Sequence, residues 1–375
     1  MQNSTEKHLH IISFDVPWPA NYGGVIDVFY KMKALSAKGI RIHLHAFEYG
    51  REEAAALNEY CASVQYYKRD LSKKNLFTNL PYIVSSRNSA DLIENLLKDQ
   101  HPILLEGLHT CLLMNDLRFS GRNIIVRTHN IEHEYYHHLA QVETDIFKKY
   151  YYHNEAKKLK RFENVLQRAS HIVAISKKDE RYFASHYEHV TFIPAFHPHR
   201  AVKSLVGRGD YVLYHGNLSV AENKTAVRFL IEEVFSQLNI PFFIAGLNPP
   251  PALVKLIEAY PNIRLFANPT DEELLHLIHQ AHINVSLTFQ ATGLKLKLLN
   301  TLYNGRFCLV NDKMLSGSAL DELCILANDA SSFKMQIKKL MKRSFSNSEI
   351  ERRRKKLEIL YHNGQNVDLL IELIG

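Results

Sequence analysis

The sequence predicts an α/β protein made of two doubly wound domains, and three observations carry that prediction. At 375 residues the chain is too long for one ordinary core. Short, continuous apolar runs alternate with helical segments in two successive series, as expected of strands buried on both faces of a parallel sheet. Between the two series lies Ala195–Gly209, rich in Pro, His, Gly and basic residues, which reads as a linker. The expected division is residues 1–200, 201–350 and a helical tail at 351–375.

The first series opens with Leu9–Val16 as a buried strand, then the loop Pro17–Gly24, a helix over Val25–Lys38 ending at Gly39, and a strand at Ile40–Phe47. This is a βαβ opening with glycines in its first turn, where doubly wound folds bind ligands. It is not a G-x-G-x-x-G fingerprint, and no acidic residue stands where a dinucleotide ribose would need one, which argues against a dehydrogenase. Further strands are expected at Ser63–Tyr67, Ile103–Glu106, Asn123–Thr128, His171–Ile175 and Val190–Ile193. Functional groups gather just beyond the carboxyl ends of such strands. Those ends are Glu106-Gly-Leu-His109 and Arg127-Thr-His-Asn-Ile-Glu132.

The second series begins at Tyr211–His215. Gly216-Asn-Leu-Ser-Val-Ala-Glu-Asn-Lys224 leads into a helix over Thr225–Gln237, and strands follow at Phe242–Ala245 (ending in Gly246), Ile263–Ala267, Ile283–Leu287 and Phe307–Val310. Ser348–Ile374 reads as two helices. With 46% hydrophobic residues the chain is globular. No apolar run spans a bilayer and the start is polar, so no signal peptide is expected. Cys61, Cys111, Cys308 and Cys324 are widely spaced, as reduced thiols of a cytoplasmic protein would be. The net charge of +7 suits an anionic substrate or a membrane surface as well as nucleic acid. His133-Glu-Tyr-Tyr-His137 matches the H-E-x-x-H zinc pattern, but no third ligand follows at suitable spacing and 21 histidines make chance matches easy.

The most informative stretch is 286–312. A β-type run leads to the small-residue turn Ala291-Thr292-Gly293, and a short helix then carries Leu298, Leu299, Leu302 and Tyr303 on one face. It stops at Asn304-Gly305, a pair suited to a left-handed terminus. Lys295 and Lys297 occupy the first turn, where the helix dipole disfavours each cation by about a few tenths of a kcal/mol. Two lysines there imply an anionic occupant, most simply a phosphate.

Gly293-Leu-Lys-Leu-Lys-Leu-Leu-Asn-x-Leu-x-x-Gly305-x-x-x-Leu-Val310 resembles the nucleotide-binding segment of the family 4 glycosyltransferases, retaining enzymes of the GT-B fold. The resemblance covers nearly the whole chain. It implies two Rossmann-like domains facing across a cleft, a last helix that crosses back to the first domain, and transfer of a sugar, with retention of configuration, from a UDP- or GDP-linked donor to a glycan or lipid-linked saccharide. It implies no cofactor and no metal, no nucleic acid partner, and a cytoplasmic location with room for peripheral contact at the inner membrane face.

Residue by residue, the resemblance gives charge stabilisation of the diphosphate to Lys224, Lys295 and Lys297. Gly23 and Gly24 match the family's N-terminal P-x-x-x-G-G loop, which approaches the donor. Gly216, Asn217, Asn223 and Gly246 fall at the donor-side strand ends. His129 matches the histidine of an H-N-x-E stretch and faces the transferred sugar or incoming hydroxyl, with Asn130, Glu132 and His109 on the acceptor side. The departures are specific. Asn300 stands where the family has a ribose-gripping Glu, Thr292 where it has the paired Glu, and Asn217 and Asn223 where it usually has Arg and Lys, with Lys224 displaced by one. These changes keep a second reading open, a non-catalytic sugar-nucleotide binder or regulatory protein of the same fold. Lys157-Lys-Leu-Lys-Arg161 reads as a solvated helix face.

Overall fold

A computed structural model describes residues 6–289 and 296–375. It divides the chain into two compact units. The first runs to Pro198 and takes in Tyr361–Gly375 at the end of the chain; the second comprises the described residues 199–289 and 296–360.

The first unit holds a seven-stranded parallel sheet, ordered β3-β2-β1-β4-β5-β6-β7. Its strands are β1 His8–Ser13, β2 Arg41–Glu48, β3 Ser63–Lys68, β4 Ile103–Glu106, β5 Ile124–Thr128, β6 His171–Ala174 and β7 Val190–Phe192. The second holds a six-stranded parallel sheet, ordered β10-β9-β8-β11-β12-β13, from β8 Val212–Asn217, β9 Phe242–Leu247, β10 Ile263–Ala267, β11 Ile283–Ser286, β12 Phe307–Val310 and β13 Ile325–Leu326. In each sheet the strand order reverses once, at β1/β4 and at β8/β11, and open α/β sheets bind ligands outside such reversals.

Every expected strand forms, with instructive differences at the ends. β1 stops at Ser13, because Arg87 donates to the Phe14 carbonyl at 2.9 and 2.8 Å and takes it out of the sheet. The first helix begins at Gly23 rather than after the glycines. It ends at Lys38 and Gly39, where φ is +83°. The helix expected from Thr225 starts at Ala221 and passes through a π turn, Leu230–Val234. β13 had no sequence signal beyond two apolar residues. Gly305 does not take a left-handed conformation; it is required because a Cβ there would lie 2.3 Å from Asn284 Nδ2.

The expected linker is partly core. Ala195, Phe196 and His197 are buried, and the Phe196 amide donates to Asp27 Oδ1 at 2.9 Å. The two tail helices part company. Asn347–Tyr361 is anchored in the second unit by buried Arg353, which donates to Ser204 Oγ at 2.9 Å and to the Gly305 and Arg306 carbonyls. Asn363–Ile374 lays Val367, Leu370 and Ile374 against Val28, Met32 and Leu35 of the first helix. Asn123 Nδ2 then donates to the last carbonyls, Leu373 at 3.0 Å and Ile374 at 3.2 Å.

Much of the histidine content is structural. On one face of β1 and β2, Asp99 accepts from His10, whose other nitrogen shares a 2.9 Å hydrogen bond with His45. His45 in turn bonds the Tyr67 hydroxyl at 2.8 Å. Burial pushes His10 down to about 4 and His45 to about 3, so both are neutral at pH 7. Among the described residues no helix is long and apolar enough to cross a membrane.

The docking of the last helix predicts that Leu370→Ala destabilises the protein by about 2–5 kcal/mol, read from urea unfolding. A change within error would mean that this helix contributes little to the first unit.

Candidate functional site

Charged side chains converge at the β1/β4 reversal of the first unit, and they are buried there. Asp27 and Lys31, one turn apart on the first helix, are completely buried. Lys31 Nζ reaches Asp27 Oδ2 at 2.9 Å and Glu106, at the end of β4, at 2.7 and 2.9 Å. Arg127 of β5 donates to both Asp27 oxygens at 2.8 and 3.1 Å, and to the Ile193 and Pro194 carbonyls. Burial raises the Asp27 carboxyl, but the Arg127 and Lys31 charges outweigh it and hold that carboxyl well below the usual range. Two anions and two cations balance, and removing one partner from such a set costs about 3–5 kcal/mol.

This network ends on His129. Its Nε2–H donates to Glu106 Oε2 at 3.0 Å, with the ring 9% exposed. That bond selects one tautomer and leaves Nδ1 as an acceptor. The Phe14 ring meets His129 edge-on and His109 at a tilt, each at 5.3 Å between centroids. Burial and the nearby Arg87 charge keep His109 neutral. Phe14 also presses on Gly24, where a Cβ would fall 2.6 Å from its ring. Gly24 is thus a steric requirement of the Phe14 ring, whereas Gly23 has open space. The first helix has neither a side-chain cap at Tyr22 nor an acidic residue in its first turn.

Asp27, Glu106 and His129 offer ligand atoms within 4.8 Å of one another. The Lys31 ammonium already bridges the two carboxylates, so it supplies the positive charge that a metal ion would otherwise bring. The H-E-x-x-H side chains meet other partners. On helix Glu132–Val142, His133 bonds Tyr182 Oη at 2.9 Å while His137 meets Gln141 at 3.2 Å, and Glu134 pairs with Lys178.

Glu132 opens that helix as a buried carboxyl, with Asn130 hydrogen-bonded to it. Burial pushes it up to about 7, against the pull of Asn130, and the nearby Asp179 carboxyl adds to the rise. Asp179, on helix Lys177–Ala184, is itself raised by burial to about 6. Glu132 is therefore half-protonated near neutrality and can donate a hydrogen bond as well as accept one.

In the second unit the cation is Lys297, the second residue of the described helix Leu296–Asn304. Its ammonium donates to Asn223 Oδ1 at 3.3 Å and the Leu287 carbonyl at 3.5 Å, and lies 5.3 Å from the Tyr214 ring centroid. Asn223 is the hinge of the arrangement. It also accepts from Tyr214 Oη at 3.0 Å and donates to the Asn217 carbonyl at 2.9 Å. Asn217 Oδ1 holds the turn by accepting from the Ser219 amide and hydroxyl at 3.0 and 2.7 Å. Gly216 leaves room for Asn223, and Gly246 lets β9 lie against the Gly216 carbonyl, 2.1 Å from where a Cβ would stand. Lys224 lies on the same helix, Ala221–Phe229, with no ion pair among the described residues.

Thr292, Gly293 and Lys295 lie outside the described residues. Asn300 accepts from Asn304 Nδ2 at 2.8 Å, which leaves its own Nδ2 to offer a ligand. Sequence reasoning missed Asp27, Lys31, Tyr214 and His215. The last is buried beside Lys297, pushed down to about 4 by burial and that charge, and its Nε2 has no partner among the described residues. Asp27 and Lys31 did carry a signal, an i,i+4 charge pair on the apolar side of a helix.

The sign of the Glu132 shift makes a prediction. An unfolded carboxyl ionises near its ordinary value and the folded one near 7, so the contribution of Glu132 to stability is greatest at low pH and falls as pH rises through that window. Glu132→Gln does not titrate and should raise the unfolding free energy by about 2–3 kcal/mol at about pH 8 and by little at about pH 4. Equal effects at both pH values in urea titrations would refute the buried, proton-sharing carboxyl.

No protein-family model matches the chain. A Klebsiella pneumoniae protein described as an uncharacterized 44.6 kDa protein in the cps region is 27% identical over 346 residues, 85% of this chain and 87% of that one. Among solved structures, TarM superposes with a TM-score of 0.71 at 11% identity over the full length of both chains. A Rickettsia africae glycosyltransferase superposes at 0.66 and 13% identity, covering 99% of this chain and 98% of that one. Anabaena HepE, solved with UDP and glucose, superposes at 0.65 and 10%, covering 98% and 99%. Two parallel sheets, each flanked by helices and each with one reversal, are the fold these proteins share, and this chain has the GT-B fold.

Proposed function

We propose that the protein is a glycosyltransferase that moves a sugar from a nucleotide-diphosphate sugar, UDP- or GDP-linked, to a hydroxyl of a glycan or lipid-linked saccharide. The observation that carries this reading is Lys297, held beside the β8/β11 reversal by Asn223 and the face of Tyr214. A cation held there by protein groups suits a diphosphate. Anabaena HepE crystallised with UDP-glucose, and S. aureus TarM with UDP and a GlcNAc-glycerol, lend the same fold to this chemistry.

In this reading the acceptor oxygen bonds to the anomeric carbon as the bond from that carbon to the diphosphate oxygen breaks. The acceptor proton passes to the departing diphosphate on the same face, which retains configuration. Lys297, Lys224 and Lys295 stabilise the charge that develops on the leaving group. His129, its tautomer set by Glu106, orients a hydroxyl through Nδ1. The reaction runs without a metal, since Lys31 already provides the buried cation of the first unit and the lysines serve the diphosphate.

A second reading, a binder without transferase activity, draws on Asn300, whose Oδ1 is engaged by Asn304 and whose side chain carries no charge for a ribose.

Thermal unfolding with UDP, GDP, ADP and CMP, each with and without magnesium, tests the site. A ligand at about a hundred times its dissociation constant adds roughly 2.7 kcal/mol. One diphosphate should raise the midpoint without metal, and Lys297→Ala should abolish both that rise and sugar transfer. A rise that survives the substitution would remove Lys297 from the diphosphate site. Asn300→Glu is expected to tighten nucleotide binding about tenfold, one charge-assisted hydrogen bond being worth roughly 1.5–3 kcal/mol. Weaker binding would show that Asn300 serves another group.

A further inference from the structure

Helices Glu132–Val142 and Ile146–Phe162 form a hairpin joined by three residues, Glu143, Thr144 and Asp145. Its two arms pack through Tyr136 on Tyr152 and His137 on His153, each pair 6.0 Å between centroids. At the tip the usual rule of burial is reversed. Ile146 is 74% exposed, Phe147 84% and Tyr150 75%, with Val142 beside them on the other arm. Large apolar side chains this exposed and contiguous mark a contact surface rather than scattered surface residues.

The charges on the second arm are as one-sided. Its only acidic residue is Glu155, which is buried and occupied by the Tyr82 amide and by Lys158 at 3.0 Å. At 100° per residue, Ile146, Tyr150, Lys157 and Arg161 fall on one exposed stripe, with Lys149 at its edge. Lys148, Lys149 and Lys157 make no ion pair among the described residues. The two acids of the link are turned onto backbone: Glu143 accepts from the Thr144 and Asp145 amides, and Asp145 caps the helix by accepting from Phe147 and Lys148. Lys158 Nζ donates to the Leu76 carbonyl at 3.0 Å and brings Phe77, 87% exposed, to the same arm.

We propose that this hairpin docks the protein on an anionic lipid bilayer, with Ile146, Phe147 and Tyr150 entering the headgroup boundary and Lys149, Lys157 and Arg161 meeting lipid phosphates. The side chains protrude rather than line a groove, which a bilayer accommodates and a folded partner accommodates only with a matching pocket. Apolar and aromatic residues at one end of a stripe of cations are the features by which a helix lies in an interface. The surface belongs to the unit that carries His129, and it gives a location to the membrane contact expected of an enzyme with a lipid-linked acceptor. It rests on that reading for its purpose but not for its test, which uses no nucleotide.

The experiment is co-sedimentation of the full chain with vesicles of phosphatidylcholine alone and of equal parts phosphatidylcholine and phosphatidylglycerol. Binding is expected only to the anionic vesicles and should weaken as salt is raised. Phe147→Ser/Tyr150→Ser and Lys149→Glu/Lys157→Glu should each lower the partition coefficient by about tenfold or more. All four positions are exposed, so the thermal midpoint should not move. Failure to bind anionic vesicles, or undiminished binding by both double variants, overturns the proposal. So does a dimer in sedimentation velocity without lipid that the serine variant abolishes, because the tip would then be an interface between copies.

Discussion

The buried set of Asp27, Lys31, Glu106 and Arg127 is the constraint on which the first unit depends. It ties the first helix to β4 and β5, and through Phe196 and the carbonyls of Ile193 and Pro194 it fixes the segment that leaves the sheet. Charges this deeply buried are tolerated only when every one is paired, so the four residues must adopt a single arrangement together. That arrangement is also what presents His129. Its ring is oriented by a carboxylate that is itself immobilised by Lys31, and the site inherits the rigidity of the core beneath it.

The second unit solves the corresponding problem with neutral groups. Where an arginine and a lysine would be expected from the family resemblance, Asn217 and Asn223 build the turn after β8 and hold Lys297 through one amide oxygen. A neutral amide does not repel the lysine it positions. Tyr214 supplies the face against which that ammonium lies. Gly216 leaves room for the Asn223 amide, and Gly246 for the Gly216 carbonyl.

The fold was largely legible because buried parallel strands leave a direct trace, short apolar runs punctuated by turns. The differences between the expected and the observed elements share one cause. Arg87 ends β1 from a distance, Asn284 rather than helix geometry demands Gly305, and Asp27 draws the supposed linker into the core. Each is a contact between residues far apart in the chain, to which local periodicity is blind. The candidate site left the same kind of local trace. His129, Glu132 and Lys297 stand at strand ends and helix starts, where position alone is informative.

The sequence by itself determined the order of elements, the two sheets and the clustering of polar groups at their carboxyl edges. These follow from local hydrophobic pattern and from turn-forming residues. Only the tertiary structure decided which side chains act as partners. Glu106 and Asp27 enclose Lys31, and burial raises Glu132 to about 7; neither can be read from the residues around them in the chain. Phe147 and Tyr150 are aromatic residues that the hairpin leaves exposed. Burial and pairing depend on what lies across space from a residue, and in this chain that is settled by packing between segments as far apart as Asp27 and Phe196.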